Sequence, residues 1–395
     1  MKKISLMKNT FSNEKFVKKK LIEFIKFSSR LSMGREVIKW EKNFSKWQKR
    51  KYSVCVNSGS SANLILIQSL LNLNYLKKNE LVAVSGVTWS TNVMPLIQLG
   101  LKVKAIDISV NSLNVSFETF RTFYKKNKKL KCFFITNVLG FSDRLDKIRS
   151  FCKKKKILLI EDNCESLGST IGNKKLGNFG LASTTSTFVG HHLSTIEGGF
   201  VCTDDRKLYN QLLIVRAHGW DRNLDDREKL NLNKKYKIRK FFSGYSFFDL
   251  AFNVRPTEIC GKLGNLQIKR LSRDIKIREK NFKIFNKYIN KNVNLNKLNL
   301  SHMSLISNFA FPVIAKNKFI FDKLKKNFIK NKVEIRPIIS GNILSQPFMK
   351  KYVNQNPKDL KNSSFIHNLG FYFPNNPHMT KIEIDRICKI IRNTQ

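Results

Sequence analysis

Ser53-Val54-Cys55-Val56-Asn57-Ser58-Gly59-Ser60-Ser61-Ala62-Asn63-Leu64-Ile65-Leu66-Ile67-Gln68-Ser69-Leu70-Leu71 is the stretch that sets the fold class. Ser53–Val56 reads as a short apolar strand and Ser61–Leu71 as a helix, joined by small polar residues. A strand that enters a helix through such a turn is the repeating unit of an α/β sheet. The unit recurs downstream, with apolar strands expected at Leu81–Val84, Lys102–Ile108, Cys132–Thr136 and Ile157–Ile160 and helical segments such as Leu145–Lys153 between them. Upstream, Val37, Trp40, Phe44 and Trp47 fall at helical spacing across residues 35–50. The pattern predicts an α/β fold with a mostly parallel central sheet and a functional site outside the carboxyl ends of its strands.

Past about residue 263 the chain turns to Lys/Asn-rich stretches with amphipathic spacing, as at Phe321, Leu324 and Phe328, and ends in Ile382–Ile391. Three parts are expected: an N-terminal segment 1–34, a large α/β domain 35–262 and a smaller α+β C-terminal domain 263–395. Phe241-Phe242-Ser243-Gly244-Tyr245-Ser246-Phe247-Phe248 is too short and too polar for a membrane span. It is expected to form a packed wall or a subunit contact.

With 395 residues, 42% of them apolar, and 31 Phe, the chain can bury two cores and is not a disordered polymer. The basic N-terminus lacks the apolar run of a signal peptide, and no stretch reaches the roughly 18 apolar residues of a span. A soluble, cytoplasmic protein without a membrane partner is expected. The seven cysteines are scattered without C-x-x-C pairs, which speaks against zinc, iron–sulfur and disulfide frameworks, so no metal is expected. Cys164 lies near a candidate site, but no spacing marks it as a nucleophile. The net charge of +46 would ordinarily suggest nucleic acid. Here the basic residues run through the whole chain beside abundant Asn, Ile and Phe, as an AT-rich coding bias produces, and no nucleic-acid module is present. No nucleic-acid partner is expected, although such a field attracts a diphosphate-bearing substrate.

Several residues carry chemistry. The Asn57–Asn63 turn offers backbone N–H groups to an anion at a helix N-terminus, although such Ser/Gly turns taken alone are more often ordinary caps. Asp162 ends an apolar strand, where a carboxylate can face a protonated pyridine nitrogen or simply close a turn. Trp89 can stack on a flat cofactor or fill a core. The most informative segment is Ser183-Thr184-Thr185-Ser186-Thr187-Phe188-Val189-Gly190-His191-His192-Leu193-Ser194-Thr195-Ile196-Glu197-Gly198-Gly199. Between Lys175 and Lys207, where composition would place about six basic residues, Arg206 is the only one. Two of the six histidines occupy its centre. A histidine pair alone has no metal-ligand geometry and is often structural.

Six ordered motifs resemble the sugar aminotransferase/dehydrase (DegT/DnrJ/EryC1/StrS) group of fold-type-I pyridoxal phosphate enzymes. They are the Ser58–Asn63 turn, Val87-Thr88-Trp89-Ser90-Thr91, Leu159-Ile160-Glu161-Asp162-Asn163-Cys164-Glu165-Ser166, His192 before Glu197-Gly198-Gly199, Arg216-Ala217-His218-Gly219-Trp220-Asp221-Arg222-Asn223, and Asn253-Val254-Arg255-Pro256. The likeness runs from about Ser32 to Pro337 and more weakly to the C-terminus. Aminotransferase members keep a cofactor-binding lysine five residues before the Glu-Gly-Gly triplet; this chain has His192.

The resemblance therefore implies a noncovalently held cofactor, pyridoxal 5′-phosphate alternating with pyridoxamine 5′-phosphate. It implies 3-dehydration of a nucleotide-linked 4-keto-6-deoxy-hexose, of the GDP-mannose type, in deoxysugar biosynthesis of the kind that supplies lipopolysaccharide O-antigen. L-Glutamate would be the amino donor. His192 would be the general base, removing the C4′ proton of the cofactor, with Asp162 supporting the ring. By position, Gly59, Ser60 and Thr187 would hold the phosphate, Trp89 would stack on the ring and Glu165 would meet its oxygen edge. Asn253 would reach the phosphate of a partner subunit, implying a homodimer with shared sites. His218, Arg222 and Arg336 would contact substrate or glutamate. The chain departs from the pattern at Thr187, where a serine is expected, at Leu250-Ala251-Phe252-Asn253, where Pro-Gly-Tyr-Asn is expected, and at His191, an extra imidazole read as a spectator. Competing readings are a nucleotide-sugar aminotransferase, an iron–sulfur-dependent dehydrase acting on a CDP-linked sugar, disfavoured because clustered cysteines are missing, and a noncatalytic member of the fold.

Overall fold

The computed structural model describes residues 2–394. Seven strands form the central sheet: β1 (Tyr52–Val56), β2 (Leu81–Ser85), β3 (Lys102–Ile106), β4 (Leu130–Thr136), β5 (Leu158–Asp162), β8 (Ala182–Ser186) and β9 (Gly199–Thr203), with a small hairpin of β6 (Thr170–Ile171) and β7 (Lys174–Lys175) apart from it. The order is β1-β9-β8-β5-β4-β2-β3. Only β9 runs against the others. Each expected strand exists, with bounds shifted by one or two residues, and the helices expected at Ser61–Leu71 and Leu145–Lys153 extend over Gly59–Asn72 and Leu145–Lys155.

Near-continuous apolar strands bury both faces of this sheet, as helical layers on each side require. Helix Arg35–Gln48 turns Trp40 and Phe44 inward, where Phe44 stacks on Phe200 of β9 with ring centroids 4.1 Å apart. Burial of each ring contributes about 1.5–3 kcal/mol. The N-terminus of that helix is held from a distance: buried Glu258 accepts hydrogen bonds from the backbone N–H groups of Gly34, Glu36 and Val37 at 2.8–3.0 Å.

Glu258 opens a 34-residue helix, Glu258–Lys291, that runs through the 262/263 position and joins the large sheet to a second one. The second sheet is antiparallel, with order β10-β12-β11, from β10 (Ala310–Ile314), β11 (Arg336–Pro337) and β12 (Gly370–Pro374). Its core explains much of the phenylalanine content: Phe285, Phe311, Phe328 and Phe373 are fully buried against one another. Residues before 13 strap this unit. Ile4 pairs with Val333, Leu6 N donates to Glu334 Oε2 at 3.1 Å, and Lys8 pairs with Glu383 at 2.5 Å.

The aromatic run at 241–248 does not make a packed wall within the subunit. It forms a short turn, Lys240–Tyr245, after exposed helix Asp226–Lys235, with Phe241 87% and Tyr245 74% exposed and only Phe247 on Trp220 and Phe248 on Tyr236 in ring contact beyond the run. Among the described residues no helix is long and apolar enough to cross a membrane.

Candidate active site

Sheet topology assembles the site. β9 lies between β1 and β8, and its first residue, Gly199, pairs with both Val56 and Ser186. The segments that leave Val56 and Ser186 therefore flank Gly198-Gly199. A Cβ on Gly199 would lie 2.5 Å from the carbonyl carbon and oxygen of Ser58, and one on Gly59 would lie 2.8 Å from Ser186 Cβ. Side chains at either position would wedge the helix start away from the sheet. The glycines of both motifs are thus a packing requirement that leaves bare backbone at the mouth of the helix.

Ser58 caps the 14-residue helix Gly59–Asn72 through a 3.0 Å bond from Ser61 N to its Oγ. The first N–H groups of a helix have no partner inside it, and the helix dipole favours an anion there. Thr187 follows Ser186 at the same edge, but it is fully buried and its hydroxyl lies 2.5 Å from Thr195 Oγ1. Asp162 ends β5 in register with Thr136 and Thr184, and is 4% exposed. Two donors fix its carboxylate: Asn92 Nδ2 to Oδ2 at 2.7 Å and Cys164 N to Oδ1 at 2.8 Å. Burial and the neighbouring Asp162 push the Cys164 thiol well above its ordinary value, so it carries no nucleophilic thiolate. Trp89, read from sequence as either stacking platform or core, is 55% exposed at the carboxyl end of β2, on the turn that carries Asn92.

Glu165 accepts a 2.9 Å bond from Leu139 N. Burial, with a smaller contribution from Asp162, raises its carboxyl to about 8 against the opposing Leu139 bond. Burial and then the Glu165 charge raise the Tyr372 phenol to about 12, and Tyr372 is the strand partner of Arg336, whose guanidinium donates to Glu334 Oε1 at 2.8 Å.

His192 is 6% exposed and its Nε2 lies 3.0 Å from Ser307 O. Burial, then the Arg278 charge, holds its imidazole well below the usual histidine range, with the Ser307 bond opposing. Burial likewise lowers His191 to about 4. Both rings meet Phe309 edge-on and line a crevice of about 40 Å³ with Asp274, Arg278 and His378.

His218, Arg222 and Asn253 lie elsewhere. Arg222 sits 3.8 Å over the Trp220 ring and donates to Gly244 O at 2.8 Å; Asn253 Oδ1 accepts from Arg255 Nε at 3.0 Å. All three are exposed, and among the described residues no hydrogen bond links them to Asp162. The backbone does connect them: Val254 O accepts from Asn57 N at 3.1 Å, beside the helix mouth. Arg216 of the same motif is structural, 1% exposed and paired with Glu41 at 2.5 Å.

The residues at the sheet edge fit a phosphorylated pyridine cofactor: a helix mouth free of side chains, a carboxylate held by two donors, an exposed indole and a protonated carboxyl. Asn92, Tyr372 and Ser307 were not found from sequence. Asn92 lay three positions beyond Trp89 with no signal of its own, and the other two reach the site from the second sheet's side.

The sequence profile of the DegT/DnrJ/EryC1/StrS aminotransferase family matches residues 13–392. The chain is 34% identical over 376 residues to GDP-4-keto-6-deoxy-D-mannose 3-dehydratase from Escherichia coli, covering 94% of this chain and 96% of that one. The solved structure of that Escherichia coli enzyme with bound hydrated PLP superposes with a TM-score of 0.89 at 33% identity, over 99% of this chain and 100% of the other. A structure of GDP-4-keto-6-deoxymannose-3-dehydratase with a trapped PLP-glutamate geminal diamine matches equally, with TM-score 0.89 at 32% identity over 98% and 100% of the two chains. Near-complete coverage in sequence and in fold, on top of the glycine-lined helix mouth and the Asp162 edge, leaves one assignment: this chain belongs to the DegT/DnrJ/EryC1/StrS aminotransferase family.

Proposed function

We propose that this chain is a pyridoxal phosphate-dependent 3-dehydratase of a nucleotide-linked 4-keto-6-deoxy-hexose, with GDP-4-keto-6-deoxy-D-mannose as substrate and L-glutamate as amino donor. The observation that carries the reading is His192, a buried imidazole where the family's aminotransferases keep a lysine, in an interval free of lysine from 176 to 206. A lysine would tether the cofactor; an imidazole can only exchange protons with it.

The bare N–H groups of Gly59 and Ser60, with the Thr187 hydroxyl, hold the cofactor phosphate. Asp162, fixed by Asn92 and Cys164 N, would meet the ring nitrogen, and Trp89 would cover the ring. Glu165 keeps its proton through neutral pH and donates to the ring's oxygen edge. When bound, the group supplies a primary amine for the sugar ketone and an electron-withdrawing ring. His192, neutral at pH 7, would take a proton at the cofactor's C4′ carbon and would return one to the departing C3 hydroxyl. His218, Arg222 and Arg336 contact sugar nucleotide or glutamate.

A homodimer completes the site. The support is the exposed apolar series Phe241, Tyr245, Phe247 and Leu250, which leads directly to Asn253. Asn253 of one subunit then serves the phosphate held by the other. Location in the cytoplasm follows from the substrate class. The division into an N-terminal segment, a large domain to 262 and a small domain from 263 is kept as a functional one, the site lying between them.

Borohydride treatment of the protein loaded with pyridoxal phosphate tests the assignment. No pyridoxyl adduct on the wild-type chain, and an adduct at position 192 in His192→Lys, is the expected pair of results. An adduct on any wild-type lysine would overturn it.

A further inference from the structure

The geometry around His192 assigns its working nitrogen. A backbone carbonyl has no hydrogen to give, so the 3.0 Å contact between His192 Nε2 and Ser307 O requires the neutral ring to carry its proton on Nε2. Nδ1 is then the bare, basic nitrogen, and it is buried without a protein partner. We propose that the Ser307 carbonyl fixes His192 in the Nε2–H tautomer, so that Nδ1 takes and returns the proton, and that Ser169 and Gly140 position that carbonyl. This rests on His192 being the base.

Ser169 and Gly140 hold residue 307 in place, with Ser169 Oγ 3.3 Å from Ser307 O. Ser307 N donates to Ser169 Oγ at 2.9 Å, and Ser169 Oγ donates to Gly140 O at 2.7 Å. Gly140 has φ +86°, and a Cβ there would lie 2.4 Å from Ser307 O. No side chain can occupy position 140 while the carbonyl faces His192. Gly140 also follows Leu139, whose N–H binds Glu165, so one short turn sets both the base and the carboxyl at the ring's oxygen edge. Ser169 and Gly140 are positioning residues: they act on the base through a backbone oxygen.

The shifts of ¹⁵N-labelled histidine side chains, read at pH 7.5 in the protein loaded with pyridoxal phosphate, test the proposal without relying on turnover. The His192 signals are assigned by their loss in His192→Asn. A protonated Nε2 and an unprotonated Nδ1 are expected; the reverse pattern overturns the proposal even if dehydratase activity is intact. Ser169→Ala should shift His192 toward the other tautomer and lower kcat about threefold or more with KM for the sugar nucleotide unchanged. Gly140→Ala should do the same more strongly, by about tenfold or more. An unchanged tautomer in a folded Ser169→Ala protein also counts against it. Loss of all activity in the wild-type assay, with the expected tautomer present, would instead reject the dehydratase reading.

Discussion

Asn92 Nδ2 donates to Asp162 Oδ2 across 2.7 Å, and both side chains are buried. The bond ties the turn after β2, which carries Trp89, to the end of β5. Asn92 N also donates to Trp89 O at 3.1 Å, so one residue bonds both of the residues proposed to meet the ring.

Asn92→Leu should weaken pyridoxal phosphate binding about tenfold or more, since a hydrogen bond to a charged group contributes about 1.5–3 kcal/mol. Absorbance titration of the apoprotein with the cofactor measures it. An unchanged Kd would mean that Asp162 needs no such support.

Glu165 carries a pH signature. Its folded carboxyl is raised to about 8, so between the ordinary 4.5 and about 8 the unfolded chain loses a proton that the folded chain keeps. Stability of the cofactor-free protein should therefore fall as pH rises through that window and level off above it. Glu165→Gln should melt at the parent's temperature at pH 4.5, and about 2 °C or more above it at pH 9. Parallel curves for the two proteins would contradict the assignment.

The histidine pair acts in the opposite direction. His191 is depressed to about 4 and His192 well below its ordinary value. Their contribution to stability is complete above about pH 6.5 and is lost as pH falls toward 4. His191→Asn should flatten this acid limb in a thermal melt series between pH 4 and 7. The same depression moves the acid limb of kcat below the ordinary histidine range; a limb centred at 6.5 would show a base that titrates as a solvated imidazole.

Gly199→Ala forces a Cβ to within 2.5 Å of Ser58 backbone, which must move. A loss of about 1–3 kcal/mol in urea unfolding is expected, together with weaker binding of the cofactor phosphate. Normal cofactor affinity in that variant would separate Ser58 and Gly59 from the phosphate.

Two arginines six residues apart should behave as opposites. Arg216→Leu strands the Glu41 carboxylate, paired with it at 2.5 Å, and should destabilise the chain by about 3–5 kcal/mol. Arg222→Ala removes an exposed guanidinium stacked on Trp220 and should leave the melting temperature within about 1 °C. Its effect should appear in KM for glutamate or sugar nucleotide. Equal melting temperatures for the two variants would contradict this division.

The parts of the site that follow from strand–turn–helix order were legible in the sequence. Asp162 ends a strand, Thr187 follows one and Gly59 opens the helix after another, and parallel strands present those ends at one edge. What could not be read depends on contacts between distant segments. Asn92 reaches Asp162 over 70 positions and Ser307 reaches His192 over 115, with no periodicity to mark either. The 241–248 run shows the converse. Its hydrophobicity suggested a wall or a subunit contact, but burial is a property of neighbours, and within the subunit only partial contacts such as Phe247 on Trp220 and Phe248 on Tyr236 reach it.

The claim that matters most is that an imidazole at position 192 makes this chain remove an oxygen rather than install a nitrogen. Mass spectrometry of GDP-4-keto-6-deoxy-D-mannose incubated with the protein, pyridoxal phosphate and glutamate tests it directly. The account predicts a product one oxygen lighter, with release of ammonia and 2-oxoglutarate, and loss of that product in His192→Lys. A sugar nucleotide whose carbonyl oxygen has been replaced by an amine would contradict it.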